Sequence, residues 1–255
     1  MRSALTIARF VVLEAQRTGM PWLFACAGAA GVGLAGFLSQ LALTDSTGLQ
    51  CSMLGAFFRL SAVFLVTAFV ISSMVRESND KGIELLLSMP ISRTQYFLGK
   101  LGGFVACGTF ISAAFSLLML VWSPPLSVAA WFVSLTVELA LMAAVALFFV
   151  LTLAQVVPAL AAACSLYLLG RVVAAIQAIS TGPLLSERSL IHQIAALGVD
   201  AVALVLPPLD RATQSSWLVY GAPSSDEFLR VVASLLVYVA FVSAAGLFDF
   251  HRRNL

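Results

Sequence analysis

The chain has 255 residues, of which 61% are hydrophobic and 10% charged, and its formal charge is +2. Soluble globular domains carry roughly 45–50% apolar and about 25% charged residues, so this composition excludes a soluble protein and points to one that lives in lipid. A net charge this small says little about partners; membrane lipid is expected among them and nucleic acid is not.

Residues 1–18, "MRSALTIARFVVLEAQRT", gather Arg2, Arg9 and Gln16 on one helical face, with Thr6 and Arg17 beside it. Leu5, Ala8, Val11, Val12 and Ala15 lie opposite, while Phe10 and Leu13 break the pattern. This predicts an N-terminal interfacial helix rather than a cleavable signal. A span needs about 20 apolar residues to cross the ~30 Å hydrocarbon layer. By that length the sequence holds six, at 20–43, 54–75, 98–122, 127–154, 156–179 and 229–248. The break between the fourth and fifth rests on Gln155 and Pro158 alone. The fold class predicted is therefore all-α, a single polytopic membrane domain over 1–255 with six transmembrane helices.

Placing the N-terminus in the cytoplasm puts Arg2, Arg9, Arg17, Arg76, Lys81, Arg93, Lys100, Arg252 and Arg253 inside, nine of the 14 basic residues. The short connections at 44–53 and 123–126 then carry none, so both termini are expected in the cytoplasm of a bacterial inner membrane. The connection at 180–228 holds its own apolar stretch, "LIHQIAALGVDAVALVL" at 190–206, interrupted by His192 and Asp200. Seventeen residues are short for a span. An outer helical segment, lying on or dipping into the outer face, is expected there.

The four cysteines, at 26, 51, 107 and 164, form no CxxC pair and have no neighbouring His, so neither a zinc site nor a disulfide framework is signalled. His192 and Asp200 share a helical face but two residues do not make a metal site. "GAAGVGLAG" at 28–36 and the Gly99/Gly103 spacing let helices approach closely, within the chain or between copies.

The stretch between the second and third spans is the most informative. "RESNDK" at 76–81 is polar; "GIELLLSMP" follows as a short amphipathic helix stopped by Pro90; and "SRTQ" at 92–95 has the capping-box spacing that starts a new helix. The product is a short rigid helix held at the membrane surface between two anchored spans, either a device for something to press on or a plain interfacial helix that seats its neighbours.

The order of residues in "ESNDKGIELLLSMPISRTQYFLGK" at 77–100 resembles the cytoplasmic coupling segment of type 2 ATP-binding-cassette (ABC) transporter permeases, nearest the branch associated with multicopper-enzyme maturation. The six spans, the "PPLD" turn at 207–210 and the ending "FDFHRRNL" agree in order, while only 76–100 is specific. The resemblance implies a coupling helix between spans two and three, held in a groove of a separate cytoplasmic ABC ATPase dimer. It implies a second permease copy, a homodimer or heterodimer, and mostly export. ATP and Mg would be bound by the partner, with no cofactor in this chain and no enzymatic activity of its own. By position, Glu77, Glu84, Leu85, Leu86, Leu87, Pro90 and Arg93 match the coupling residues, Glu77 and Glu84 being expected to face polar groups of the ATPase.

Ionisable residues within spans are costly and usually face a cavity or one another. Glu138 and Arg171 fall at similar depth and are expected to pair, either lining a path between two copies or fixing helix register. Arg59, near the start of its predicted span, is expected to snorkel to the outer interface. Trp22, Trp122, Trp131 and Trp217 are placed near membrane edges.

Two other functional classes compete with an ATP-driven permease. A membrane-embedded enzyme needs a cluster of acid, base or metal ligands that this sequence does not supply. A secondary transporter needs no ATPase but tends to show internal repeats, and none is convincing here. A scaffold that docks an ATPase without transport stays open.

Overall fold

A computed structural model describes residues 2–41, 46–80, 92–180, 198–203 and 206–252. Among these residues there is no strand; the main helices are α1 (Arg2–Arg17), α2 (Met20–Leu41), α3 (Ser46–Asn79), α4 (Arg93–Met119), α5 (Pro125–Leu153), α6 (Val156–Ser180), α7 (Leu209–Ala212), α8 (Ser216–Tyr220) and α9 (Ser225–Arg252). Six of them, α2 to α6 and α9, are long and apolar enough to cross a membrane, the architecture of a multi-pass membrane protein.

The helices α3 and α9 extend past both ends of their apolar runs because backbone hydrogen bonding continues until a cap or a break ends it. At the start of α4, Ser92 is extended and its side chain accepts from the Gln95 amide, which forms the first half of the capping box. The helix α5 opens on Pro125, whose missing N–H costs nothing at the first turn. It ends at Ala154, which takes a left-handed conformation with φ of 53°, and α6 starts two residues on. That left-handed residue turns the chain back on itself, so the weakest break in the sequence is a tight helical hairpin.

The centre of the bundle is α5. It packs against α3, α4, α6 and α9, and 78% of its most apolar stretch is buried, against 17% for α9 and 22% for α2. Phe58 of α3 and Phe115 of α4 stack at 4.7 Å between ring centroids, and Phe69 meets Phe104 edge-on at 5.8 Å. These rings are closed off from the surroundings, so their burial and offset packing both hold α3 to α4.

The first helix docks along the beginning of α4. A Cβ on Gly99 would meet the Ala4 carbonyl and the Ile7 Cβ at 2.9 Å, and one on Gly103 would meet the Val11 Cβ at 2.6 Å. The Gly99/Gly103 face is therefore used inside the chain, where the absence of side chains lets two backbones come together. Ile7, Val11 and Ala15 are buried by it, whereas Leu5, Phe10 and Leu13 remain exposed.

On the far side, residues 206–220 tuck into the bundle. Leu209 and Ala212 of α7 are fully buried, as are Trp217 and Leu218 of α8 nearly so. Gly55 and Gly170 make the room: a Cβ on the first would meet Leu218 at 2.5 Å and one on the second Leu209 at 3.2 Å. The coupling residues Glu84, Leu85, Leu86, Leu87 and Pro90, and His192 of the outer connection, lie outside the described residues.

Candidate functional site

Two polar constellations stand out against the apolar bundle. The first gathers at the end where residues 81–91 attach. Glu77, in the last turn of α3, pairs with Lys100 of α4, and the Tyr96 hydroxyl donates to its other oxygen at 3.0 Å. The carboxylate is thus engaged inside the chain. Its pair is largely enclosed, with Lys100 nearly buried, so the two helix ends that flank the 81–91 segment are clasped together by charge.

Arg93 starts α4 and reaches the opposite end of the molecule's last helix. Its Nη1 donates to the carbonyls of Phe250 and His251 at 3.1 and 3.2 Å, and its guanidinium lies 6.0 Å from the Phe250 ring centroid. The last carbonyls of a helix carry the negative end of its dipole, so a guanidinium suits them. Tyr96 stacks on the same Phe250 ring at 5.8 Å, and Asp249 accepts from Thr152 of α5 at 3.3 Å. On the other flank, Glu14 of α1 accepts from Ser73 at 2.8 Å and pairs with Arg76, both on α3.

Sequence reasoning placed Glu77 and Arg93 at this site and missed Glu14, Tyr96 and Lys100. Glu14 is the sole acidic residue in the first 18, and that isolation on a basic helix was the available signal. The helical pattern alone could not show that the α3 terminus would sit beside it.

The second constellation lies within the bundle. Arg59 of α3 and Glu138 of α5 form an ion pair with both side chains fully enclosed. The Tyr167 hydroxyl of α6 donates to Glu138 Oε1 at 2.8 Å, and Arg171 Nη1 donates to that hydroxyl at 2.9 Å. Arg59 Nη1 also donates to Ser134 at 3.2 Å, and Ser134 in turn donates to the Ala212 carbonyl of α7. A continuous chain of hydrogen bonds thus runs from α6 through α5 and α3 to the inserted 206–220 segment. In a low-dielectric interior such a chain strengthens each member and raises the penalty for losing one.

This corrects three expectations. Arg59 does not snorkel: its guanidinium is buried, 5.4 Å from the Trp131 ring centroid, in a cation–π contact. Trp131 is accordingly a core residue and not part of an interfacial belt, while Trp22 is exposed. Glu138 and Arg171 are brought together, but through the Tyr167 hydroxyl, and the direct ion pair goes to Arg59. Two guanidinium groups face one carboxylate, so the cluster carries a formal charge of +1. Nε and Nη2 of Arg59 and Nε1 of Trp131 are buried without a hydrogen-bond partner among the described residues.

Elsewhere, Gln177 at the end of α6 donates to Asp200 at 2.9 Å, so Asp200 serves to hold the 198–203 turn of helix against a long one. Cys51 is buried, with its thiol 3.1 Å from the Trp122 carbonyl. Comparison with protein-family models finds no match, and comparison with curated protein sequences finds none either.

Proposed function

We propose that this chain is the permease subunit of an ATP-driven ABC transporter, an exporter of the inner membrane with both termini in the cytoplasm, driven by a separate ATPase through residues 76–97. The reading starts from the resemblance of 77–100 to a coupling segment. The single observation that supports it is the arrangement of the flanking residues. Glu77, Lys100, Tyr96 and Arg93 tie the two ends of that segment to each other and to α9, while Arg76 ties α3 to α1.

A segment whose ends are fixed this way passes a displacement on to four helices at once. A loop that merely joined two spans would need no such ties, since flexible connections are tolerated at little cost. In this reading α1 lies at the cytoplasmic interface, 76–97 is the coupling segment, 206–220 belongs to an outer helical segment, and a second permease copy completes the pathway. Glu77 and Arg93 act as transmitters within the subunit, leaving Glu84 and the leucines at 85–87 to meet the ATPase.

The buried cluster favours a second reading, a secondary transporter, because intramembrane carboxylates and arginines commonly mark ion or proton pathways. Co-purification with candidate ATPase subunits from the same organism separates the two. A complex is expected whose ATP hydrolysis falls on Glu84→Arg in the coupling segment and on Lys100→Gln in the clasp behind it. If no ATPase associates, or hydrolysis in the complex ignores both substitutions, the coupling reading is lost and the secondary-transporter reading takes its place.

A further inference from the structure

The helix α2 leans on α3 and approaches α4 only near its middle, where a Cβ on Gly28 would lie 3.4 Å from a Leu118 methyl. Between the two helices lies an open groove of about 760 Å³. Its walls are α2 from Met20 to Val32 and α4 from Ala106 to Leu118, and the end of α1, from Val12 to Gln16, closes it below. Every lining side chain is apolar except Gln16 and the thiol of Cys107.

We infer that this groove holds one acyl chain of an anionic membrane lipid, with the headgroup seated over α1. Three observations carry it, and none depends on the coupling reading. The first is length. Met20 to Val32 spans roughly 18 Å of helix rise, against about 15 Å for one leaflet of the hydrocarbon layer, so the groove matches a single extended chain.

The second is volume. At about 760 Å³ the groove falls in the range of roughly 300–1,000 Å³ typical of small-molecule sites.

The third is charge. Gln16 lines the groove, and Arg9 lies on the same face of α1, seven residues before it. Arg17 follows at the last turn. Both arginines are exposed and neither forms an ion pair among the described residues. A headgroup phosphate at the polar end of the groove lies within their field.

The test uses the full chain in mild detergent, delipidated and then titrated with phosphatidylglycerol or phosphatidylcholine of identical acyl chains, bound lipid being counted by native mass spectrometry. One tightly held lipid per chain is expected, preferring phosphatidylglycerol. Each arginine near the surface contributes about fivefold in affinity, so Arg9→Gln with Arg17→Gln brings the preference near unity. Ala29→Phe and Ala114→Phe, both at exposed groove positions, are expected to lower occupancy at least tenfold for either lipid while the helical circular-dichroism melt stays unchanged. If the filled groove still retains the lipid, the lipid sits elsewhere and the inference is wrong. It is equally wrong if filling shifts the monomer–dimer balance and leaves lipid binding alone, since the occupant is then a second copy. A photoreactive acyl chain that marks 20–32 and 106–118 confirms the site.

Discussion

Arg59 carries a charge to the centre of a helix otherwise read as apolar, and a charge enclosed to that degree persists only with a partner. Removing one member of a buried ion pair costs about 3–5 kcal/mol, because the other is left uncompensated, whereas replacing both with apolar groups is often close to neutral. Glu138→Leu and Arg59→Met are therefore each expected to destabilise by that amount, and the two together to recover most of it. Arg171→Gln, which removes a single hydrogen bond at a half-buried position, is expected to cost only about 1 kcal/mol. Unfolding in mixed micelles measures all four. Strictly additive single substitutions would show that the pair does not act as a unit. The sequence revealed that Glu138 needed a cation and that Arg171 lay at its depth, but it hid Arg59 for a physical reason. The polar stretch "STGLQCSM" at 46–53 looks like a loop, so Arg59 appears five residues into a span starting at 54. The helix starts at Ser46, with Gln50 satisfied by the Ala35 carbonyl of α2 at 3.0 Å, and Arg59 is already deep in the bundle.

At the scale of elements, the contact between α1 and α4 depends on two positions without side chains. Gly103 has the Val11 Cβ and the Ala8 carbonyl within 3.0 Å of an added Cβ, and neither backbone atom nor branch point can swing aside. Gly102, its neighbour, has nothing within 4 Å. Gly103→Val is thus expected to lift α1 off α4, loosening the helix so that trypsin cuts faster after the already exposed Arg9 and Arg17 in membranes, and weakening the Glu14 tie to Ser73 and Arg76. Gly102→Ala is expected to leave the digestion pattern as it was. Equal sensitivity of the two variants would mean that α1 is not held by that face. The six long helices were legible because lipid demands length and apolarity, and both can be counted. The Gly99/Gly103 spacing was legible as a close approach, while its partner was not, since a bare helix face does not say what covers it. Equally invisible was the burial of 206–220: its residues carry no helical period, and the space made for them by Gly55 and Gly170 lies more than 30 residues away in the chain.

For the whole molecule, the two polar constellations divide the labour. The one inside the bundle joins α3, α5, α6 and α7 and makes the middle of the structure resist shear. The one at the helix ends joins α1, α3, α4 and α9 around a single connection, and under the proposed coupling it is there that an outside force enters. Orientation decides whether that force can come from the cytoplasm. In the topology expected from the sequence, nine of the 14 basic residues share the side of the termini and of residues 81–91, and positively charged loops stay inside. In a variant with Cys26, Cys51, Cys107 and Cys164 replaced by Ala, two single cysteines report on this. Ser224→Cys lies just before α9, and Asp80→Cys just after α3, both at exposed positions. With a membrane-impermeant maleimide on intact cells, the first is expected to label at once and the second only after permeabilisation. The opposite pattern would place the clasp of Glu77, Lys100 and Arg93 outside the cell, beyond the reach of any cytoplasmic ATPase. The same clasp would then have to serve an external partner or none, and of the readings considered only one that needs no ATPase would survive.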